Sequence, residues 1–453
     1  MKHSNSMDFL QGSIKPIYFK YLGAAFGSSL IASIYGIVDL TVVGRYHGPE
    51  GTAAISVVAP LWNLIYSLGL LVGIGGSVLF STLRGESKGN AKRSNEYFSA
   101  ALIGGIVLAL IAWLGVIFFD KPLFILFGAN EALLPLAHAY VTPIKFVLPM
   151  FLFSQFLSAF LRNDGNPALA TKAVLCGGIF NIFGDCFFTF TLDMGIKGAG
   201  LATAMGSTIS VLVMLTHFFS KKCTITLVRP HRIFKKLKDI GVTGFSTFFI
   251  DVAMGILTVF FNRQIMKYLD TSALAVYGIV TYVSTFAQCC AYSAGQAAQP
   301  IISTNFGAQN GSRIKETLRY ALCTVAVISL FWTALSLAVT NLYIYIFTTP
   351  TEEVLRIAPA IIRRYSLSFV LLPLNIFSTY YFQALLKPAA SFVVSVSRGA
   401  VISGVLIYLL PAIAGPDTIW FAMPVTELLT AIYVVTRMVH YTKRLPQEIL
   451  KGE

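Results

Sequence analysis

Twelve windows of predominantly apolar residues, each long enough to cross a bilayer, run through this chain and leave only short polar connections between them. A segment of roughly 20 apolar residues spans the hydrocarbon, and since no water is there to satisfy its backbone groups, it must be a helix. The windows lie near 18–43, 53–80, 98–119, 138–161, 168–191, 198–220, 240–262, 272–303, 318–346, 358–385, 390–414 and 417–440. The fold class expected is therefore an all-α polytopic membrane protein. Charged residues make up 12% of the 453, about half the share of an ordinary soluble domain. Met1 to Lys20 is polar and charged and the window after it is long enough to span, so no cleavable signal peptide is expected and the first helix stays in the mature protein.

A net charge of +14 raises the question of nucleic acid, which would require a basic, water-exposed face with interleaved aromatic residues. The placement of Lys and Arg points elsewhere. With the N-terminus inside, the cytoplasmic segments hold 23 of them and the outer segments eight, including on the inner side Arg84, Lys88, Lys92 and Arg93 and the run from Lys221 to Lys238. Basic residues are retained on the cytoplasmic side. Both termini are therefore expected in the cytoplasm of a prokaryotic plasma (inner) membrane, with anionic lipid as the partner of the basic loops and no role for nucleic acid. The six cysteines, at 176, 186, 223, 289, 290 and 323, show no metal-ligand spacing and read as buried reduced thiols.

The chain also repeats itself. Gly73, Ser81, Thr82, Gly85 and Gly89, at the end of the second window, align at an offset of 222 with Gly295, Ser303, Thr304, Gly307 and Gly311 at the end of the eighth. Asn166-Pro167-Ala168 matches Lys387-Pro388-Ala389 at an offset of 221, just after the fourth and tenth windows. Six windows per half imply parallel repeats related by an axis along the membrane normal. The expected organisation is an N-terminal lobe over 1–220, a basic cytoplasmic linker over 221–239 and a C-terminal lobe over 240–453.

Charges inside spans are expensive and mark functional positions by default. Four acidic ones stand out: Asp39 in the first span, Asp185 in the fifth, Asp251 in the seventh and Glu427 in the twelfth. Lys145, Lys172 and Arg398 are within reach of an interface or of a partner in the bundle. Depth follows from topology. Asp39 and Asp185 fall in the outer third of rising helices, while Tyr140 and Thr203 sit near the start of descending ones. All four share one level. Asn181 lies one turn below Asp185 and Tyr35 one turn below Asp39, and Gly177, Gly178, Gly200 and Gly206 let these faces approach closely. A polar cluster inside the N-terminal lobe results; packed interhelical hydrogen bonds are the plainer reading of the same residues.

In order along the chain, VDLTVVGR, GIGGSVLFSTLRGESKGNAKR, LRNDGNPALA, NIFGD, GIKGAGLATA, GFSTFFID, GQAAQPIISTNFGAQNGSRI and YYFQALLKP resemble the MATE multidrug and toxic-compound extrusion family, most closely its bacterial MepA-like branch. The resemblance covers almost the whole chain. It implies two pseudo-symmetric six-helix lobes forming a V around a cavity open alternately to either side. It also implies no enzymatic activity, antiport coupled to H+ or Na+ with no cofactor, export of small amphipathic organic cations, and a monomer. Carried over residue by residue, the family's cation-coupling site falls on Asp39, Asn181, Asp185 and Thr203, with Tyr140 and Tyr35 beside it; the first four would be the metal ligands if the ion is sodium. Asp251 takes the place of the acidic residue of the seventh helix. Two departures stand out: Ala24 occupies the place of a mid-helix proline of the first span, and GFS replaces GLP in the seventh, which removes expected kinks.

Two carboxylates facing each other in an apolar cavity can hold one proton between them or a sodium ion ringed by hard oxygens. Occupation biases the lobe toward one packing only through its differential affinity for the two states. Tyr35, Asp251 and Glu427 are the expected substrate contacts, the two acids offering counter-charge against aromatic walls such as Phe248, Phe249 and Tyr277. A lipid-linked oligosaccharide flippase of similar architecture is the alternative, but its pyrophosphate ligand would favour a cavity rich in Arg and Lys. A membrane enzyme would need a catalytic constellation, and Ile182 to Asp185 lacks the first glycine of a GxGD motif while His138, His217 and His440 are scattered.

Overall fold

The structure is a computed structural model that describes residues 9–86, 91–129, 131–347 and 352–445. Lys88 and Gly89, cited above, lie outside the described residues. Among the described residues there is helix and no strand. Eleven helices are long and apolar enough to cross a membrane, and a bent pair supplies the twelfth span. In chain order they are α1 (Ile14–Gly48), α2 (Glu50–Glu86), α3 (Ala91–Leu126), α4 (Leu133–Lys145 with Leu148–Asn163), α5 (Pro167–Thr191), α6 (Ile196–Phe219), α7 (Ile233–Tyr268), α8 (Ser272–Gly307), α9 (Gly311–Ala338), α10 (Glu352–Ala384), α11 (Pro388–Ala414) and α12 (Pro416–Lys443).

The fourth window does not form one straight helix. Its halves meet at 61° across Phe146 and Val147, and the cause is Pro149. A proline has no N–H to give to the carbonyl four residues back, which here belongs to Lys145. In the bilayer that carbonyl still needs a donor, and the indole Nε1 of Trp113 in α3 supplies it at 2.6 Å. The tenth window is interrupted in the same way, by a 3-10 turn over Leu367–Val370 ahead of Pro373.

Two compact units emerge among the described residues, one comprising Gly23–Phe248 together with 9–12, the other Ser13–Leu22 with 249–445. Inside each, the repeated glycines do the same work. A Cβ on Gly73 would lie 2.9 Å from the Cα of Phe156, and one on Gly295 would lie 2.4 Å from the ring of Tyr380. Glycine thus lets α2 lie against α4 in the first unit and α8 against α10 in the second. Between α5 and α6 the approach is closer still: a Cβ on Gly177 would sit 2.3 Å from the carbonyl oxygen of Gly206.

None of the six cysteines, all among the described residues, forms a disulfide, but the expectation that they are buried needs correction. Cys176, Cys186 and Cys323 are exposed and the other three intermediate. An apolar window places a residue within a span without saying which face of the helix carries it.

Candidate functional site

The close contact of α5 and α6 sets the stage for the polar cluster. Asn181 and Asp185 stand one turn apart on α5. Asn181 Nδ2 donates to Asp185 Oδ1 at 3.4 Å and to Thr203 Oγ1 of α6 at 3.1 Å. From α4, the Tyr140 hydroxyl donates to Asp39 Oδ2 of α1 at 2.5 Å and also pairs with Thr203. Asp39, Tyr140, Asn181 and Asp185 are all buried, and Asp185 is fully so. Four helices therefore bring all five expected coupling residues to one place. Tyr35, one turn below Asp39, is half-buried and shares a hydroxyl hydrogen bond with Tyr66 of α2; its ring lies against Gly178 of α5.

The charge balance of this cluster is unusual. Asp39 and Asp185 lie within electrostatic reach of one another, and no Lys, Arg or His pairs with either among the described residues. Asp39 Oδ1, Asp185 Oδ2 and Asn181 Oδ1 accept no hydrogen bond among the described residues. Buried polar oxygens are rarely left so. The donor set is carboxylate, amide and hydroxyl oxygen, which suits a proton or a hard cation and does not suit a soft metal. Directly after Asp185, α5 passes into a π-helical turn over Phe187–Thr191, a deformation frequent at functional sites.

The C-terminal unit is built to the opposite charge balance. Glu427 of α12 is fully buried, and its Oε1 accepts from Arg398 Nε of α11 at 2.6 Å. Asn375 Nδ2 of α10 donates to its Oε2 at 2.7 Å and to its backbone carbonyl at 2.9 Å. Arg398 sits in the π-helical turn Ser397–Val401 of α11. The expectation that Glu427 offers free counter-charge therefore has to be corrected, because Arg398 already balances it. Asp251 of α7 is half-buried with no ion pair or hydrogen bond among the described residues. It shares the electrostatic surroundings of Tyr292 with Arg398, and Gly399, next to Arg398, packs on Ala253, two residues after Asp251. Of the aromatic walls, Tyr277 is committed to the bundle interior, stacked 4.7 Å from Phe261. Lys145 is paired with Asp120 at 2.5 Å, beside His138.

A further polar cluster went unread in the sequence. His217 Nε2 donates to Asp164 Oδ2 at 2.7 Å while Asn166 donates to its Nδ1 at 3.2 Å. Asp164 also takes the backbone N–H and hydroxyl of Thr224, and Arg84 holds Thr224 from the other side at 2.6 and 2.7 Å. With Cys223 these residues bring possible metal-ligating atoms within 4.8 Å. Both His217 nitrogens and both Asp164 oxygens are nevertheless taken, so the cluster works as a clamp that fastens the basic loop to the first unit. The only sequence hint was the wealth of hydrogen-bonding side chains in a short connection.

A sequence model described as MatE matches residues 24–187 and 245–409. The multidrug export protein MepA of Staphylococcus saprophyticus is 28% identical over 304 residues, 66% of each chain. MepA of Staphylococcus aureus is 24% identical over 408 residues, 89% of each. A solved structure described as the outward-facing conformation of a multidrug resistance MATE family transporter of the MOP superfamily superposes with a TM-score of 0.91 at 20% identity, covering 99% of this chain and 100% of that one.

Proposed function

We infer the function from one premise: this chain belongs to the MatE family. It is a multi-pass membrane transporter of the multidrug-efflux type, not an enzyme. Beyond that, we propose that it works as an antiporter, in which an inward proton or sodium ion is exchanged for an outgoing organic cation at alternating faces of the membrane. The observation that carries the proposal is the pair Asp39 and Asp185: two buried carboxylates from different helices, ringed by Tyr140, Asn181 and Thr203, with no cationic side chain among the described residues to neutralise them. A permanent partner would make such charges structural. Without one they require an exchangeable cation.

Loading and release of that cation would bias the N-terminal lobe, taken as 1–220, between two packings, and the short α5–α6 contact through Gly177 and Gly206 would transmit the change to both helices. Asp251 is the remaining candidate for attracting a cationic substrate. Both termini and the 221–239 linker are assigned to the cytoplasm by the distribution of basic residues. The test is transport of one fluorescent organic cation by the purified, reconstituted protein under an imposed pH gradient and, separately, an imposed sodium gradient. Uphill movement under either supports antiport and names the ion, and movement only down the substrate's own gradient would refute it.

A further inference from the structure

The face of α6 turned away from the polar cluster forms one wall of an apolar crevice. Thr203, Gly206 and Ser210 share the face that meets α5, where Gly206 and Ser210 touch Gly177; at 3.6 residues per turn, Thr208, Leu212 and Leu215 point to the other side. There a crevice of about 380 Å³ is lined by α3, α4 and α6, with Phe98, Leu157, Leu212 and Leu215 among its walls and Thr208 its one polar residue. Ile225 and Leu227, from the loop after α6, close one end. Leu212 and Leu215 are partly exposed along it, so the crevice opens sideways, where hydrocarbon lies.

That loop runs extended, with its residues alternating between two environments. The backbone N–H groups of Thr224, Thr226 and Val228 donate to Asp164 at 3.0 Å, Asn95 at 3.3 Å and Ser99 at 3.0 Å. The odd positions, Ile225 and Leu227, face the crevice. Arg229 continues the odd series two residues beyond Leu227 and is exposed. Lys221 and Lys222, also exposed, precede the segment. The acidic side chains of this surface are already engaged: Glu96 by Lys236, Asp164 by His217 and Asp239 by Tyr97. Lys221, Lys222 and Arg229 form no ion pair among the described residues. Beside them Phe219, Leu227 and Phe234 are 91%, 72% and 84% exposed. Bare aromatic and aliphatic side chains among unpaired basic ones belong in a headgroup layer, not in water.

We propose that this crevice is a binding site for one anionic phospholipid of the leaflet on the loop's side, with an acyl chain between α3, α4 and α6 and its phosphate on Arg229. The site lies on the opposite face of α6 from the proposed coupling cluster, and a bound lipid would press the clamped loop against the first unit.

The experiment is native mass spectrometry of the delipidated full-length protein in detergent, titrated with dioleoylphosphatidylglycerol or dioleoylphosphatidylcholine. The wild type should retain one phosphatidylglycerol more tightly than phosphatidylcholine. Arg229→Gln should lower phosphatidylglycerol retention about fivefold and that of phosphatidylcholine, whose ammonium offsets its phosphate, much less, whereas Lys315→Gln, an exposed basic change elsewhere, should change neither. Leu215→Trp should displace both lipids by filling the crevice; if it does not fold, the exposed Leu227→Gln should weaken both in its place. Equal retention of the two lipids by the wild type, or an Arg229→Gln result indistinguishable from Lys315→Gln, would overturn the proposal, as would undiminished binding in the crevice variants.

Discussion

Among the described residues, the buried carboxylates Asp39 and Asp185 of the first unit meet the neutral donors Tyr140 and Asn181 and no cation, whereas in the second unit the buried Glu427 meets the guanidinium of Arg398 at 2.6 Å. Both centres bridge two consecutive helices, α5 to α6 through Asn181 and Thr203, α11 to α12 through Arg398 and Glu427. Both lie at a π-helical turn, after Asp185 in α5 and around Arg398 in α11. Similar architecture thus carries two electrostatic solutions. A carboxylate with a built-in cation is closed and structural. Those without one are what the proposed exchangeable cation would occupy.

The difference can be broken by mutation. Arg398→Ala strands a fully buried carboxylate and should cost roughly 3–5 kcal/mol of stability, read as a large fall in thermal midpoint in detergent. The double change Arg398→Met with Glu427→Gln should recover most of it. A small loss in the single variant would mean that the pair is not structural. Next in size is Asn375→Ala, which removes two donated bonds to Glu427 and should cost about 1.5–3 kcal/mol in the same melt. Trp113→Phe takes the donor from the Lys145 carbonyl at the break of α4 and should cost about 1–3 kcal/mol; no change would show that Pro149 leaves no carbonyl in need. The smallest effect expected on folding is that of Asp251→Asn, which should weaken transport of cationic substrates more than neutral ones in reconstituted vesicles. Equal loss for both would remove Asp251 from substrate attraction.

Much of the first unit was legible because its logic is one-dimensional. Span length follows from hydropathy, depth from the alternation of topology, and the pairing of Asn181 with Asp185 from a four-residue spacing. Proximity of Tyr140, Thr203 and Asp39 needed only that they share a level. The second unit resisted for a physical reason: whether Arg398 meets Glu427 or the lipid headgroups depends on how α11 is rotated, and a π turn at that very residue alters the rotation that an ideal helical spacing would suggest. The break in α4 was hidden differently. Pro149 stands in plain view, but an apolar window averages over it, and the rescue of the Lys145 carbonyl comes from Trp113, on another helix. The Asp164 and His217 clamp was missed because its partners lie 53 residues apart in connections that read only as polar.

The central claim is that Asp39 and Asp185 serve an exchangeable cation and not the fold. The most direct measurement is gradient-driven efflux by purified, reconstituted Asp39→Asn, with the thermal midpoint and drug binding without a gradient recorded on the same preparation. An amide is close in size to the carboxylate and cheaper to bury in the membrane, so stability and passive binding should stay near wild type while uphill transport collapses. Adding Asp185→Asn should make little further difference if the two form one coupled site, as proposed. Uphill efflux by Asp39→Asn at a rate comparable to wild type would contradict the assignment.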